Sequence, residues 1–359
     1  MSSNSSNPNS DHSLDYIILF RLVVWGYAGL AISLFGIVGN IITIIVLMSP
    51  SLRIISTNIY LIALSCSNIL FLLIFIPSYP IRYLIGYSAY TANQPPLAFE
   101  ILLSRLPTTT VYNATLLSII YLTIGLSIDR LISIKFPLKS KTILTKRVTL
   151  MTILFIYIFS IVYCIPYFLE QSYVPELKQC RLTNIGKKIH KYIRIYIYIP
   201  VVYVIPIVTL TCINIAVIKH LIETKRQKQS LCEKPNEKIH TDYHITLMVV
   251  CITIAFVFCQ TSLAVLNAWF VIDPHGSIKS LKFHILNTIT IILVVFYIST
   301  NFLLYFVFGK TIRSTLIQYI SNIFSKHPQS TSTTINLQGS NVQKTTADDT
   351  TYQSACNEN

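Results

Sequence analysis

The residues that could do chemistry in this chain are few, and each stands at a recognisable spacing. Asp129 and Arg130 are adjacent, an acid and a base able to form a charge-assisted pair. A second acid, Asp242, could compete for the same guanidinium. Asn301 and Tyr305 are four residues apart, so a helix places both on one face, where they can bond across a helix interface. Asn68 and Gln260 are polar residues inside apolar runs, and Pro206 interrupts another. No constellation for catalysis accompanies them. The eight His residues are scattered, no His-Glu-x-x-His sequence occurs and no Gly-rich phosphate loop is found. An enzyme is not expected, and neither a cofactor nor a metal.

The elements that must position these residues are membrane spans. Of 359 residues, 53% are hydrophobic and only 12% charged, far from the quarter-charged soluble norm. Disorder is excluded by the apolar content, and a disulfide scaffold by eight scattered Cys. The net charge of +14 does not imply nucleic-acid binding, because the basic residues fall between apolar runs. About 20 apolar residues cross the hydrocarbon core. Seven stretches qualify, near 22–48, 59–85, 99–134, 148–170, 192–222, 243–273 and 283–308. The third carries a polar stripe (Thr108, Thr109, Thr110, Asn113, Ser118) that should face the bundle interior. The first residues lack a basic segment and an early apolar core, so no signal peptide is expected.

Lys and Arg favour the inner side modestly when the N-terminus is placed outside. The sequon at Asn4 agrees with that orientation. A second sequon, at Asn113, lies within a span. The chain divides into 1–21, an extracellular segment; 22–320, a seven-span domain; and 321–359, a Ser- and Thr-rich disordered tail. Phosphates on that tail would add charge for a partner to read. No internal repeat supports an inverted-repeat transporter, and the spans hold almost no mid-membrane acid to coordinate an ion.

Several marks occur in register. Gly39-Asn40 lies in span one, and Asn58-Ile-Tyr-Leu61 with Leu64 opens span two. Asp129-Arg130 closes span three, Pro206 sits in span five and Phe256-Val-Phe-Cys259-Gln260 in span six. Asn301-Phe-Leu-Leu-Tyr305 closes span seven. In this order, over about residues 20–320, the chain resembles the rhodopsin-like G-protein-coupled receptors. The closer resemblance is to invertebrate FMRFamide-type neuropeptide receptors. It rests on the end of span four (Ser160 to Glu170), on Gln260 where most of the superfamily has Trp, and on Phe302 where most have Pro.

The resemblance implies an all-α bundle of seven helices in the plasma membrane, with a short amphipathic helix (Phe308, Arg313) after the seventh. Its partners would be an extracellular ligand, an amidated peptide in the closer subgroup, and a heterotrimeric G protein. Arrestin would read the tail, and lipid would surround the bundle. It further implies that Asp129, Arg130, Asp242, Asn301 and Tyr305 set the signalling equilibrium, and that Asn68, Phe256, Gln260 and Pro206 transmit the change. A clamp from Arg130 to Asp129 and Asp242 would join spans three and six at rest.

The chain also departs from that family. Asn68 replaces the usual Asp and Ile119 the usual Ser, so no sodium site is expected. Cys180 is the loop half of the family's outer disulfide, but Arg105 stands at the partner position. Cys180 is therefore free, paired between molecules, or paired elsewhere. Ser262 replaces a Pro in span six, and Tyr157 a Trp in span four. Cys356 lies too far along the tail for the usual lipid anchor.

Val295 replaces the Schiff-base Lys of a retinal protein, and Tyr112 the Asp of an amine receptor. An Arg-Phe-amide end would need an acid for its Arg and an aromatic pocket for its Phe. Glu170 is the first candidate acid, Glu100 the second, with Tyr112 and Gln260 lining the pocket. The basic stretch Lys178 to Arg194 argues instead for an acidic or anionic ligand. A chemosensory receptor of the same fold, and at greater distance a transporter, remain the rival readings.

Overall fold

In a computed structural model, residues 8–50, 52–53, 55–92, 108–168, 171–174, 179–183, 194–230, 237–308, 313–318 and 321 are described. Among them seven helices are long and apolar enough to cross a membrane. Span one is Asp15–Leu47, span two Ser56–Ser88 and span three Thr110–Lys135. Span four is Lys146–Pro166, span five Tyr196–Glu223, span six Thr246–Ile272 and span seven Leu281–Val307. The first helix begins at Pro8, well inside the segment expected to precede the bundle. The turn after span four adds a small antiparallel hairpin, Gln171–Val174 with Gln179–Leu182, in which Cys180 is paired with Tyr173. Apart from this hairpin the described residues form the expected all-α bundle of seven helices.

Helix ends follow local chemistry. Pro137 cannot continue the helix that ends at Lys135, and it starts the short helix Pro137–Ile143 instead. Asp273 ends span six and caps the next turn, its Oδ1 accepting from the Gly276 N–H at 2.8 Å. Ser262, at the expected Pro, keeps the helix Glu237–Ile272 unbroken and bonds back to the Phe258 carbonyl at 3.2 Å. Pro206 acts differently. The widened turn Pro200–Val204 pairs Ile205 N–H with the Pro200 carbonyl. The next bond in that register would need an N–H at residue 206. Proline has none, and the Val201 carbonyl accepts the Tyr121 hydroxyl of span three at 3.1 Å.

Span three is central and touches spans two, four, five and six; spans six, seven, one and two close the ring. The seam between spans one and seven is close-packed. A Cβ added at Gly36 would come within 2.6 Å of Ser299 Cα, and one at Gly39 would enter the Phe302 ring. Small residues allow this close approach, which drives helix association where lipid is as apolar as the side chains. In span three, Thr110 and Ser118 of the polar stripe are buried and Asn113 is half-buried, while the side chains of Thr108 and Thr109 lie outside the described residues.

Tyr157 shows how one departure from the family pattern is accommodated. Its hydroxyl donates to the Ala63 carbonyl at 3.0 Å and shares a 2.9 Å bond with Ser67 Oγ. Span four is thereby tied to span two. Tyr157→Phe will remove both bonds and cost about 1 kcal/mol. The solubilised protein should melt a few degrees lower, read by thermal unfolding; an unchanged midpoint would contradict the tie.

Candidate functional site

At one end of span three, Asp129 and Arg130 are both buried. Arg130 Nη2 lies 3.5 Å from Asp129 Oδ2. The same oxygen accepts the Thr57 hydroxyl at 2.5 Å. Thr57 lies in the first turn of span two, so the pair joins spans two and three. The segment before it is held in place: Asn58 Nδ2 donates to the Leu52 carbonyl at 2.9 Å. Thr57 was not anticipated from sequence. Its signal was a lone hydroxyl one residue before Asn58, too common a pattern to single out. Asp242 falls in the first turns of the helix Glu237–Ile272. Its side chain lies outside the described residues, and the proposed clamp to span six with it.

Toward the bundle centre, polar side chains of spans one, two and seven gather. Asn68 Nδ2 donates to Asn40 Oδ1 at 3.1 Å, and Asn40 Nδ2 donates to the Gly36 carbonyl at 2.8 Å and the Ile298 carbonyl at 3.5 Å. Asn301 and Tyr305 are buried; the Asn301 amide has only the Tyr297 hydroxyl, one turn earlier in span seven, and no hydrogen bond reaches the Tyr305 hydroxyl among the described residues. The cross-bundle bond expected of Asn301 is therefore not formed in this conformation. Buried polar groups without partners are rare and costly. Such groups favour any rearrangement that supplies a partner, which is what a two-state element requires.

Deeper still, Phe256 and Gln260 line a closed space with Leu116, Ile119, Cys259, Val294, Tyr297 and Ile298. It is too narrow for a water molecule. Phe256 and Tyr297 are tilted against one another with centroids 5.6 Å apart. The Gln260 carbonyl oxygen has no hydrogen-bond partner among the described residues. Ile119 lines this space together with Gln260. Pro206 is buried in span five, at the turn that bonds Tyr121. Tyr112 is half-buried, stacked at an angle on Phe71 with centroids 4.7 Å apart.

Several expected residues fall outside this geometry. Asn4, Glu100, Arg105 and Glu170 lie outside the described residues, as does Cys356. Cys180 is described in its backbone only, within the hairpin. Beyond span seven, residues 313–318 are helical; Arg313 is exposed and Leu316 packs on the core. Among the described residues no cluster of His, Cys, Asp or Glu could hold a metal ion.

This arrangement holds a buried acid–base pair at one end, a polar seam through the middle and a closed aromatic floor between. Residues 39–305 match the family model described as 7 transmembrane receptor (rhodopsin family). The chain belongs to that family.

The receptor is 28% identical over 297 residues to a Drosophila melanogaster protein named FMRFamide receptor, an overlap of 78% of this chain and 50% of the other. It is 27% identical over 309 residues to a Caenorhabditis elegans protein named FMRFamide peptide receptor, covering 82% and 68% respectively. The receptor thus spans about half the length of the fly protein. Both overlaps include most of the seven spans by their extent. The receptor is accordingly a multi-pass membrane protein of a receptor family.

Proposed function

We propose that this receptor sits in the plasma membrane with its N-terminus outside, binds an extracellular amidated peptide and passes the signal to a heterotrimeric G protein. The observation that carries the ligand class is the similarity to two proteins of different animals, both named for FMRFamide. The departures Gln260 and Phe302, shared with the resembled subgroup, support it.

In this reading 1–21 faces outward, 22–320 is the receptor domain and 321–359 is a tail for phosphorylation and arrestin. Asp129 and Arg130 form the inner latch, with Asp242 opposing them from span six. Opening it frees Arg130 to line the G-protein cleft. Asn301 and Tyr305, which make no bond across the bundle in the present packing, gain partners in the signalling state. Peptide binding above Gln260 and Phe256 biases this equilibrium by preferring the open state. Glu170 is the first acid offered to the peptide's Arg and Glu100 the second, with Tyr112 and Gln260 facing the aromatic end.

The test compares Phe-Met-Arg-Phe-amide with the same peptide ending in a free carboxylate, in cells expressing the receptor. The amide should raise the second-messenger signal at least tenfold more potently than the acid. Equal potency, or silence at a surface-expressed receptor, would sink the reading.

A further inference from the structure

The end of the bundle opposite Arg130 carries a cation with no acid against it. Arg21, at the start of span one, has no carboxylate partner among the described residues. Its Nη2 lies 3.0 Å from His284 Nδ1 of span seven. Arginine can only donate, so the imidazole nitrogen is the acceptor in this contact. Nη1 donates to the Tyr83 hydroxyl of span two at 3.5 Å. The guanidinium carbon stands 5.2 Å from the centre of the Trp25 ring, within cation–π range.

The seat beneath it is rigid. Trp25 is buried, its Nε1 donates to the Thr288 carbonyl at 3.2 Å, and Tyr79 and Tyr83 meet it edge-on at 5.0 and 5.1 Å. Spans one and two both widen at this depth, over Leu22–Ala28 and Pro77–Ile81. Such widened turns recur at functional sites. Here they carry Trp25 and Tyr79 to the seat.

An Arg serving only to anchor its helix would extend its head to water. This one is forked between two neighbouring spans, with Arg21, Tyr83 and His284 all only half-buried. The charges around it are mostly positive: Arg82 and Lys282 are exposed near the same end. Of the acids there, Asp273 is engaged in capping Gly276, and Asp15 lies six residues away, on another face of the helix. A planar guanidinium with part of its fork still open to solvent suits a carboxylate.

We propose that Arg21, held by Trp25, Tyr83 and His284, is a recognition site for a carboxylate of the receptor's peptide ligand. This rests on the amidated-peptide reading. An amidated end has no terminal carboxylate, so the acid must be an Asp or Glu side chain upstream of it. Arg21 thereby selects acid-extended peptides over neutral ones.

The probes are Asp-Phe-Met-Arg-Phe-amide and Asn-Phe-Met-Arg-Phe-amide, applied to the full chain and to Arg21→Gln and Arg21→Lys. Binding is read in nanodiscs from the fluorescence of Trp25, the other tryptophan removed by Trp269→Phe; signalling is read in cells. The Asp peptide should bind at least tenfold more tightly to the Arg21 receptor. That preference should vanish in Arg21→Gln, persist in part in Arg21→Lys and shrink as salt is raised. Equal binding of the two peptides to the Arg21 receptor overturns the proposal, even if Arg21→Gln fails to fold. So does a preference that survives Arg21→Gln. Signalling decides the other question. A response to both peptides without preference sinks the Arg21 site and leaves the peptide receptor. Silence with an Asp-dependent Trp25 change sinks the amidated-agonist reading and leaves the carboxylate site.

Discussion

Asp129→Ala will leave the Arg130 guanidinium buried without its carboxylate, and the receptor will be both less stable and more active without ligand. The two side chains are 1% and 8% exposed and 3.5 Å apart. Removing one partner of such a pair costs about 3 kcal/mol, because the remaining charge is left desolvated. With its Asp129 carboxylate gone, the cation regains solvent by leaving its position, which is the motion proposed for signalling. The midpoint of thermal unfolding should fall by several degrees, and basal second messenger should rise severalfold per receptor at the surface. Thr57→Val leaves the ion pair and removes only the 2.5 Å bond to Asp129 Oδ2. Its cost should be nearer 1 kcal/mol. The double variant should lose less than the sum, since both act through one carboxylate. Unchanged basal signalling and melting in Asp129→Ala would dismiss the latch.

Gly39→Ala will give the second large effect, through packing. A methyl there would enter the Phe302 ring. That ring is wedged between Gly39 and Phe35, the latter at 5.2 Å, with Phe306 edge-on at 6.1 Å. Overpacking of this kind costs about 1–3 kcal/mol, so the surface amount should drop sharply. Phe302→Ala should restore it, because the obstacle at Gly39 is a side chain. Gly36→Ala should resist rescue by any change at Ser299, since it meets that residue's Cα. Loss at Gly39 without rescue would place the defect elsewhere than in this seam.

The same residue shows how much was legible in the sequence. Seven spans followed from apolar length: the ranges near 148–170 and 283–308 are close to Lys146–Pro166 and Leu281–Val307, while the first, near 22–48, starts earlier at Asp15. Length alone carries that information. Phe302 could be recognised as a departure, but not as the ring that fills the notch at Gly39. That contact joins residues far apart in the chain, and no local pattern encodes it. Tyr157 is similar: the missing Trp was visible, the bonds to Ala63 and Ser67 were not. The Asp129–Arg130 pair was legible because its partners are adjacent. Thr57 meets Asp129, and Asn68 meets Asn40, only once spans one to three are packed. Arg21 gains its meaning from His284, 263 residues away, which no local pattern encodes. The helix from Pro8 was missed because Asn9 to His12 is polar, and polarity marks the absence of a span rather than of a helix.

The central claim is that peptide binding at one end of the bundle acts through Arg130 on a G protein at the other. The most direct test is the second-messenger response to Phe-Met-Arg-Phe-amide in cells with and without their Gα subunits, with Arg130→Ala alongside. The account predicts a response in the intact cells that disappears when the Gα subunits are removed. It should also disappear in Arg130→Ala, while that variant still reaches the surface and binds peptide. A response that persists without any Gα subunit, or an Arg130→Ala receptor that signals as strongly as the original, would contradict it.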